Sequence, residues 1–490
     1  MSVNNRSMKN VTTDSGVLFV SRLVISFSNL LFIPLLTKNL STSSYGIWAQ
    51  AWVTIPLVGN LLVLGFDEAI TRFFPSMDKN GYSKDFISLL IPIITLSFMA
   101  SFVFYIFSDP ISSWIFAGNA IVAKYIALIL FIWPSDLMLF AFIRSLRKIQ
   151  TFSILLIVQN VFEMGLAAMM VMMGKGVEGA IFGLLIARLG IMGFLMIYLI
   201  PYIDLLKPEI RNIRMYVKYG VPILPMEISS WVLSSFDRYM IAIIFTTTEV
   251  GYYDPAYIVG QSIPLLVAGS LSFSLTPHLS KLYDHNESKE VKNILSFMLK
   301  MALAINIPFI VGGYILAKPI LALISTEAIA INAYRVLPLV SVGVSFYSIM
   351  IIMSMVWKLE KKTLNIGLTY VASAIINIIL NYLMIPRYGI EGAAIATLLA
   401  FGLGMTISLS VNKDLIPELD FLAFTKTILA STIMLLIIYI IYNYSPILNT
   451  TISLIAGTLT YIICINRCNI ISDDEREILK EIRFIKIFIK

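Results

Sequence analysis

Charge is scarce in this chain. Only 13% of its 490 residues are Asp, Glu, Lys or Arg, about half the roughly 25% of a soluble domain. That shortage excludes a water-soluble globular protein. Cysteine is nearly missing: Cys464 and Cys468 are the only two. Four residues apart on one helix, they are poorly placed for a disulfide, so two free thiols are expected. Histidine occurs twice, at His278 and His285, and no His-Glu-x-x-His pattern exists. A zinc hydrolase of that kind is excluded. No Gly-x-x-x-x-Gly-Lys-Ser/Thr segment occurs either, which excludes ATP hydrolysis by a phosphate loop. The first 13 residues are polar and the apolar stretch after them is long enough to span, so no cleaved secretory leader is expected.

What the chain has is length of apolar sequence. Hydrophobic residues make up 58% of it and the mean hydropathy is +0.86. Runs such as ILASTIMLLIIYIIY (428–442) and YVASAIINIILNYLMI (370–385) approach the roughly 20 residues of a spanning helix. They lack the alternation of barrel strands. The expected class is an all-α polytopic membrane protein with 14 transmembrane helices, at 14–36, 46–66, 86–107, 119–142, 152–173, 177–200, 219–245, 251–277, 293–317, 331–356, 364–385, 389–411, 421–443 and 446–466. Connections on the N-terminal side of that arrangement carry 26 Lys and Arg, and those on the other side carry 5, Lys124 at a span edge included. The positive-inside rule then puts both termini in the cytoplasm of a multi-pass cell-membrane protein. The net charge of +7 is mostly this bias, so no nucleic-acid partner is implied.

The chain also repeats itself. Residues 176–187 read GVEGAIFGLLIA and residues 389–400 read GIEGAAIATLLA, with six of twelve positions identical at an offset of 213. Upstream, RSLRK (144–148) and WKLEK (357–361) keep Leu146/Leu359 and Lys148/Lys361 in the same register. At an offset of 205, TKNLSTSSYGIWAQAW (37–52) parallels AIIFTTTEVGYYDPAY (242–257), pairing Gly46 with Gly251. Two matches in one register point to duplication. Spans 1–6 map onto spans 7–12, and an even-numbered unit keeps both copies in one orientation, giving two parallel-related six-helix lobes plus two extra helices. The expected domains are an N-lobe (1–200), a polar basic linker (201–218), a C-lobe (219–411), spans 13–14 (412–466) and a tail (467–490). In the tail Ile478, Ile482, Ile485 and Ile489 recur at helical spacing among Lys and Arg, as in a helix lying at a lipid surface.

Charges inside spans are functional candidates by default, since each costs roughly 2.5–3.5 kcal/mol at a helix centre. They are Arg22, Asp67, Glu68, Asp136, Glu163, Arg188, Glu227, Asp237, Arg238, Asp254, Lys300 and Arg335. Arg335 and Lys300 lie where a long side chain can snorkel. Asp67 and Glu68 sit beside Arg72 at the end of span 2 and read as a gate or a structural cluster. Asp136 and Glu163 are either protonated or paired between helices. Arg22 lies eight residues into span 1, and its repeat partner is Glu227. Asp237 and Arg238 are sequence neighbours, which diverge by about 100° on a helix, so they are expected to face different partners. Arg22 and Arg238 are expected on a water-filled cavity, with a buried inter-helix ion pair as the alternative. Pro56 in span 2 and Pro264 in span 8 hold nearly equivalent places, and proline kinks a helix. Interrupted helices in matching halves point to a transporter's site.

The plan of six plus six plus two spans, LTKNLSTSSYGIWA after span 1, SSFDRYMIAIIFTTTEVGYYDPAY through span 7 and the basic turn before GIEGAAIA resemble the polysaccharide-transporter branch of the multidrug/oligosaccharidyl-lipid/polysaccharide exporter superfamily, the oligosaccharide flippases. The resemblance covers about residues 10–466. It implies two lobes forming a V around a cavity open alternately to either side. It implies a non-enzymatic task, moving an isoprenoid-phosphate-linked oligosaccharide from the cytoplasmic to the outer leaflet. On that reading Arg22, Arg238, Arg188, Arg72 and Lys300 meet the substrate, and Glu227, Asp237, Asp254, Glu163, Pro56 and Pro264 serve coupling or gating. No cofactor is implied beyond Na⁺ or H⁺ coupling. The partners are the lipid-linked oligosaccharide, membrane lipids and polysaccharide polymerase machinery, with the chain a monomer. Two rivals are an ion-coupled multidrug exporter of the same superfamily and a membrane-embedded polysaccharide polymerase. Arg22 argues against the first, and the short outer loops against the second.

Overall fold

The computed structural model describes residues 2–204, 208, 212–410, 415–444, 449–470 and 475. By packing, the chain divides into two units: Val20–Asp254, and Pro255–Lys490 together with Met1–Phe19.

The first unit opens with α1 (Ser2–Thr37), most of it within the unit, followed by α2 (Thr42–Val63) and the short α3 (Phe66–Phe73). Then come α4 (Lys79–Ile106), the short α5 (Ser108–Ile115), α6 (Ala120–Ser145), α7 (Ile149–Met172) and α8 (Gly176–Leu199). The connecting stretch carries α9 (Ile213–Gly220), and α10 (Leu224–Ile244) and the first turns of α11 (Thr247–Asp284) complete the unit. Its centre is α6, which buries Ile126, Leu130, Met138 and Phe142. The outward faces stay apolar: Phe98, Phe102, Trp114 and Ile197 are all more than half exposed. A surface of that kind suits lipid rather than water.

The second unit holds the rest of α11, then α12 (Ser288–Ile324), the short α13 (Glu327–Ala333), α14 (Val336–Leu359) and α15 (Thr363–Leu409). The last helices are α16 (Phe421–Tyr444) and α17 (Asn449–Arg467). α15 is two helices meeting at Gly389, whose φ of 58° and ψ of −139° break the helical geometry. α16 rests on α12 through Leu316, Ala423, Met434 and Ile438, and α17 adds Tyr461 to the same cluster. The Tyr461 hydroxyl donates to the Ala304 carbonyl of α12 at 2.5 Å.

Among the described residues, eleven helices are long and apolar enough to cross a membrane. The break in α15 makes two of one. α10, with Glu227, Asp237 and Arg238, and the 19-residue α17 are helical where spans 7 and 14 were expected. Each of the fourteen expected segments overlaps a described helix, so the expected arrangement fits these helices. The expected tail helix over 467–490 falls outside the described residues, apart from 467–470 and Glu475.

Two expectations shift. The domain boundary was placed at 201–218, yet the packing break comes after Asp254. α10 joins the first unit because its side chains bond to α2. Trp231 Nε1 donates to the Val53 carbonyl at 2.9 Å, Gln50 Nε2 to the Arg238 carbonyl at 2.7 Å, and Thr54 and Tyr239 share a hydroxyl bond of 2.5 Å. The basic turns also match one residue off the sequence register. Arg147 (φ 57°) and Lys361 (φ 59°) are the left-handed residues, and their N–H groups bond to the carbonyls of Arg144 and Lys358. The structural offset there is 214. It returns to 213 at Gly176 (φ 61°) and Gly389 (φ 58°), where a left-handed backbone suits glycine.

Candidate functional site

Two buried charge clusters lie in the first unit. The first is built by three consecutive spans. Asp136 on α6 and Glu163 on α7 converge on Arg188 of α8, with N–O distances of 2.9 and 3.0 Å. Gln159, one turn before Glu163, donates to Asp136 Oδ2 at 2.7 Å. The Arg188 guanidinium lies 3.4 Å from the Trp133 ring centroid, a cation–π contact of the kind that strengthens away from water. Arg188 is 5% exposed, Asp136 1% and Glu163 3%. Two carboxylates thus share one guanidinium. Among the described residues Asp136 Oδ1, Glu163 Oε1 and Arg188 Nε are buried without a hydrogen bond, so the 3.0 Å approach of Glu163 to Arg188 is an ion pair without hydrogen-bond geometry, where the usual rule is satisfaction.

Beside this cluster is a cavity of about 160 Å³, lined by Asp136, Gln159, Arg188, Arg144 and Asp67 among apolar neighbours. It has room for several waters. Asp136 and Arg144 are eight residues apart on α6, about 12 Å of helix. The cavity therefore runs from the buried triad to the C-terminal end of α6. There Arg144 bonds to Glu68 at 2.9 Å and to the Thr71 hydroxyl at 3.2 Å. Asp67, on α3 beyond the end of span 2, has its carboxyl pushed up by burial, with the neighbouring Glu68 charge adding to the shift.

The second cluster ties α2, α10 and α11. Arg238 Nε donates to Asp254 Oδ1 at 2.7 Å, and its Nη1 to Asp237 Oδ1 at 3.0 Å. Tyr253 donates to Asp237 at 2.5 Å and Tyr45 to Asp254 at 3.1 Å. Arg238, expected on a wet cavity, is 3% exposed and closed into this network; the ion-pair alternative is the one observed. Asp237 and Arg238 do take different partners on α11, Tyr253 and Asp254, and the guanidinium in addition bonds to its sequence neighbour Asp237.

The remaining expected site residues scatter. Lys300 is held by Asp420 at 3.2 Å and Glu475 at 2.9 Å in the second unit. Arg22 on α1 and Arg72 on α3 are exposed, with no hydrogen bond or ion pair to a described residue. Glu227 is half-buried on α10 within the electrostatic reach of Asp67 and Glu68. Helix runs unbroken through Pro56 and Pro264. Sequence reasoning passed over Tyr45, Gln50, Trp133, Gln159 and Tyr253, because a polar or aromatic residue in a span carries no sign of its partner. Among the described residues no group of three or more His, Cys, Asp or Glu is placed to hold a metal ion.

Comparison with known proteins adds a family. The model of the family described as "Polysaccharide biosynthesis protein" matches residues 35–330. A curated relative, the "Probable flippase AglR" of Haloferax volcanii, is 26% identical over 300 residues, covering 59% of this chain and 61% of that protein. The match thus spans under two thirds of that relative's length. Among solved structures, the inward closed conformation of the lipid II flippase MurJ superposes with a TM-score of 0.74 at 20% identity, covering 92% of this chain and 97% of that one. An inward-facing multidrug resistance MATE family transporter of the MOP superfamily gives 0.64 at 14% identity, over 80% and 96%. At these identities the two structures speak for the fold.

Proposed function

This chain belongs to the polysaccharide biosynthesis protein family, and from that premise we propose that it is a flippase for a lipid-linked oligosaccharide. It carries an isoprenoid-phosphate-linked glycan from the cytoplasmic to the outer leaflet by alternating access, without catalysis. Both termini face the cytoplasm, as the Lys and Arg bias of the connections requires. AglR is named a probable flippase and MurJ a lipid II flippase, and both names support the reading.

One observation carries it. Arg188, Arg238 and Lys300 are each neutralised by carboxylates, whereas Arg22 is exposed in an apolar span and unpaired among the described residues. An unpaired cation there costs roughly 2.5–3.5 kcal/mol and is explained by an anion it must meet. A guanidinium takes phosphate oxygens in a forked pair. Arg22, with Arg72 at the cytoplasmic end, is assigned to the phosphate. Arg238 is assigned to holding α10 and α11 on α2. An inside-negative potential favours export, by roughly 4.6 kcal/mol per 100 mV for two charges crossing the whole field. Transport draws on Na⁺ or H⁺ as well, and the chain acts as a monomer beside membrane lipids and the polymerase machinery.

The test is leaflet-resolved flipping of a polyprenyl-phosphate oligosaccharide in vesicles holding the full chain. Arg22→Ala should lower the rate at least tenfold without loss of folded protein. Unchanged flipping removes Arg22 from the phosphate site. Transport of cationic dyes with no movement of the glycolipid would favour the multidrug exporter.

A further inference from the structure

The Asp136–Arg188–Glu163 group has an unbalanced charge. Two carboxylates and one guanidinium, all at least 95% buried, sum to −1 when every group is ionised. Gln159 is neutral, and among the described residues the aromatic on the guanidinium is Trp133. The elements packed around them do not supply the missing positive charge. α2 carries no charged residue. The charges of α4 lie in its first turns, at Lys79, Lys84 and Asp85. On α3, Glu68 takes Arg144, and Asp67 adds a further carboxyl to the cavity. α1 meets α7 through Asn29 and Asn160 at 3.0 Å, and Arg22 is exposed two turns earlier.

An excess buried charge is removed by binding a cation or a proton. Geometry separates the two. Arg188 stands 2.9 Å from one carboxylate and 3.0 Å from the other, so a metal ion placed between them would sit against the guanidinium. Na⁺ would also need several oxygen ligands, and an arginine nitrogen offers none. A proton needs only one carboxylate oxygen. Asp136 Oδ1 is buried with no partner, and its residue lines the cavity that reaches the end of α6 near Arg144 and Asp67. Water entering that cavity would give the proton a route.

We propose that Asp136 and Glu163 hold one exchangeable proton between them beside Arg188, and that this proton is the one coupled to transport. The proposal deepens the flippase reading and rests on it for the word transport alone. When the proton is present the triad is neutral and Arg188 is matched by one carboxylate. When it leaves through the cavity, the second carboxylate is left charged and dry, a state relieved only by rearranging α6, α7 and α8 or by admitting water. That gives the first unit two states separated by one proton.

Two measurements on the full chain test it. Infrared difference spectroscopy should show a protonated-carboxyl stretch, shifted in D₂O, that disappears in Asp136→Asn and in Glu163→Gln, because either substitution removes the excess charge. Both variants mimic the protonated state, so both should fold; misfolding of both overturns the proposal. In vesicles, either variant should lose at least tenfold of the flipping stimulated by an imposed proton gradient, and exchange of Na⁺ for K⁺ should leave wild type unchanged. A band that survives both substitutions, or a Na⁺ requirement abolished by Asp136→Asn, overturns the proton site. If the band behaves as stated and wild type moves no glycolipid, the flippase reading fails and the proton site stands.

Discussion

Gly46 of α2 and Gly251 of α11 meet reciprocally. A Cβ on Gly46 would lie 1.8 Å from the Thr247 carbonyl oxygen, and a Cβ on Gly251 would lie 2.0 Å from that of Thr42. Glycine and threonine are each 205 apart, the offset of the internal repeat. The duplicated segments therefore pack on each other through their duplicated glycines, and Ser43 bonds to Thr247 across the crossing at 2.9 Å. Backbone atoms are the obstacle, so no rotamer change makes room. Gly46→Ala should destabilise the first unit by at least the roughly 1–3 kcal/mol of an overpacked site. Thermal unfolding in detergent is the measurement. Gly165→Ala, where nothing lies within 4 Å, is the control and should be neutral or slightly stabilising.

The Arg238 network should respond as a unit. Arg238→Gln leaves Asp237 and Asp254 buried without their cation, a loss of about 3–5 kcal/mol for broken buried pairs. Asp254→Asn should cost less, because Arg238 keeps Asp237. If the network is structural, adding Asp254→Asn to Arg238→Gln should recover part of the loss, since it removes a stranded charge. Strict additivity in that double-mutant cycle would show that the pair does not interact.

Gly176 and Gly389 were visible as a repeat because the turn needs a left-handed backbone, which constrains residue type. The spans were visible because lipid selects composition. Arg238 was misplaced because burial and partner are tertiary facts: nothing in SSFDRYM says that Asp254, sixteen residues on, returns to the same guanidinium. Asp136, Glu163 and Arg188 each read as costly charges in the sequence, but their convergence depends on α6, α7 and α8 packing together. The packing break after Asp254 escaped for a like reason, since α10 reads as an ordinary span until Gln50, Val53 and Thr54 are seen holding it.

Asp420 should make the attachment of α16 sensitive to acid. Its carboxylate caps the helix, accepting from the Ala423 N–H at 2.9 Å, and bonds to Lys300. The Ala423 N–H, then Lys300, hold its carboxyl below the usual value. A depressed acid contributes stability above its unfolded pKa of about 3.9 and loses it as pH falls through the lower folded value. Asp420→Ala should therefore lower stability at neutral pH by about 0.5–2 kcal/mol, the range for a lost N-cap. The gap between variant and wild type should close only below about pH 4. A gap of the same size under acid conditions would mean that the cap is not the cause.

The linker helix α9 is docked by an acid at the start of α4. Asp85, 3% exposed, accepts from the Tyr216 hydroxyl and from Asn212 Nδ2 at 3.1 Å. Tyr216 packs edge-on against Phe73 and Phe74, and Lys79 reaches Asp204 at 2.8 Å. A hydrogen bond to a charged group is worth about 1.5–3 kcal/mol, so Tyr216→Phe keeps the ring contacts and removes most of the polar hold. Local opening of α9 should then become roughly 10- to 100-fold more frequent, since 1.4 kcal/mol corresponds to tenfold. Hydrogen exchange resolves this: amides of 213–220 should exchange faster in Tyr216→Phe while those of α4 and α6 keep their rates. Asp85→Asn should act in the same direction with a smaller effect, because a neutral amide still accepts from the phenol. Faster exchange spread over α4 and α6 as well would mean that Asp85 holds the bundle rather than the linker.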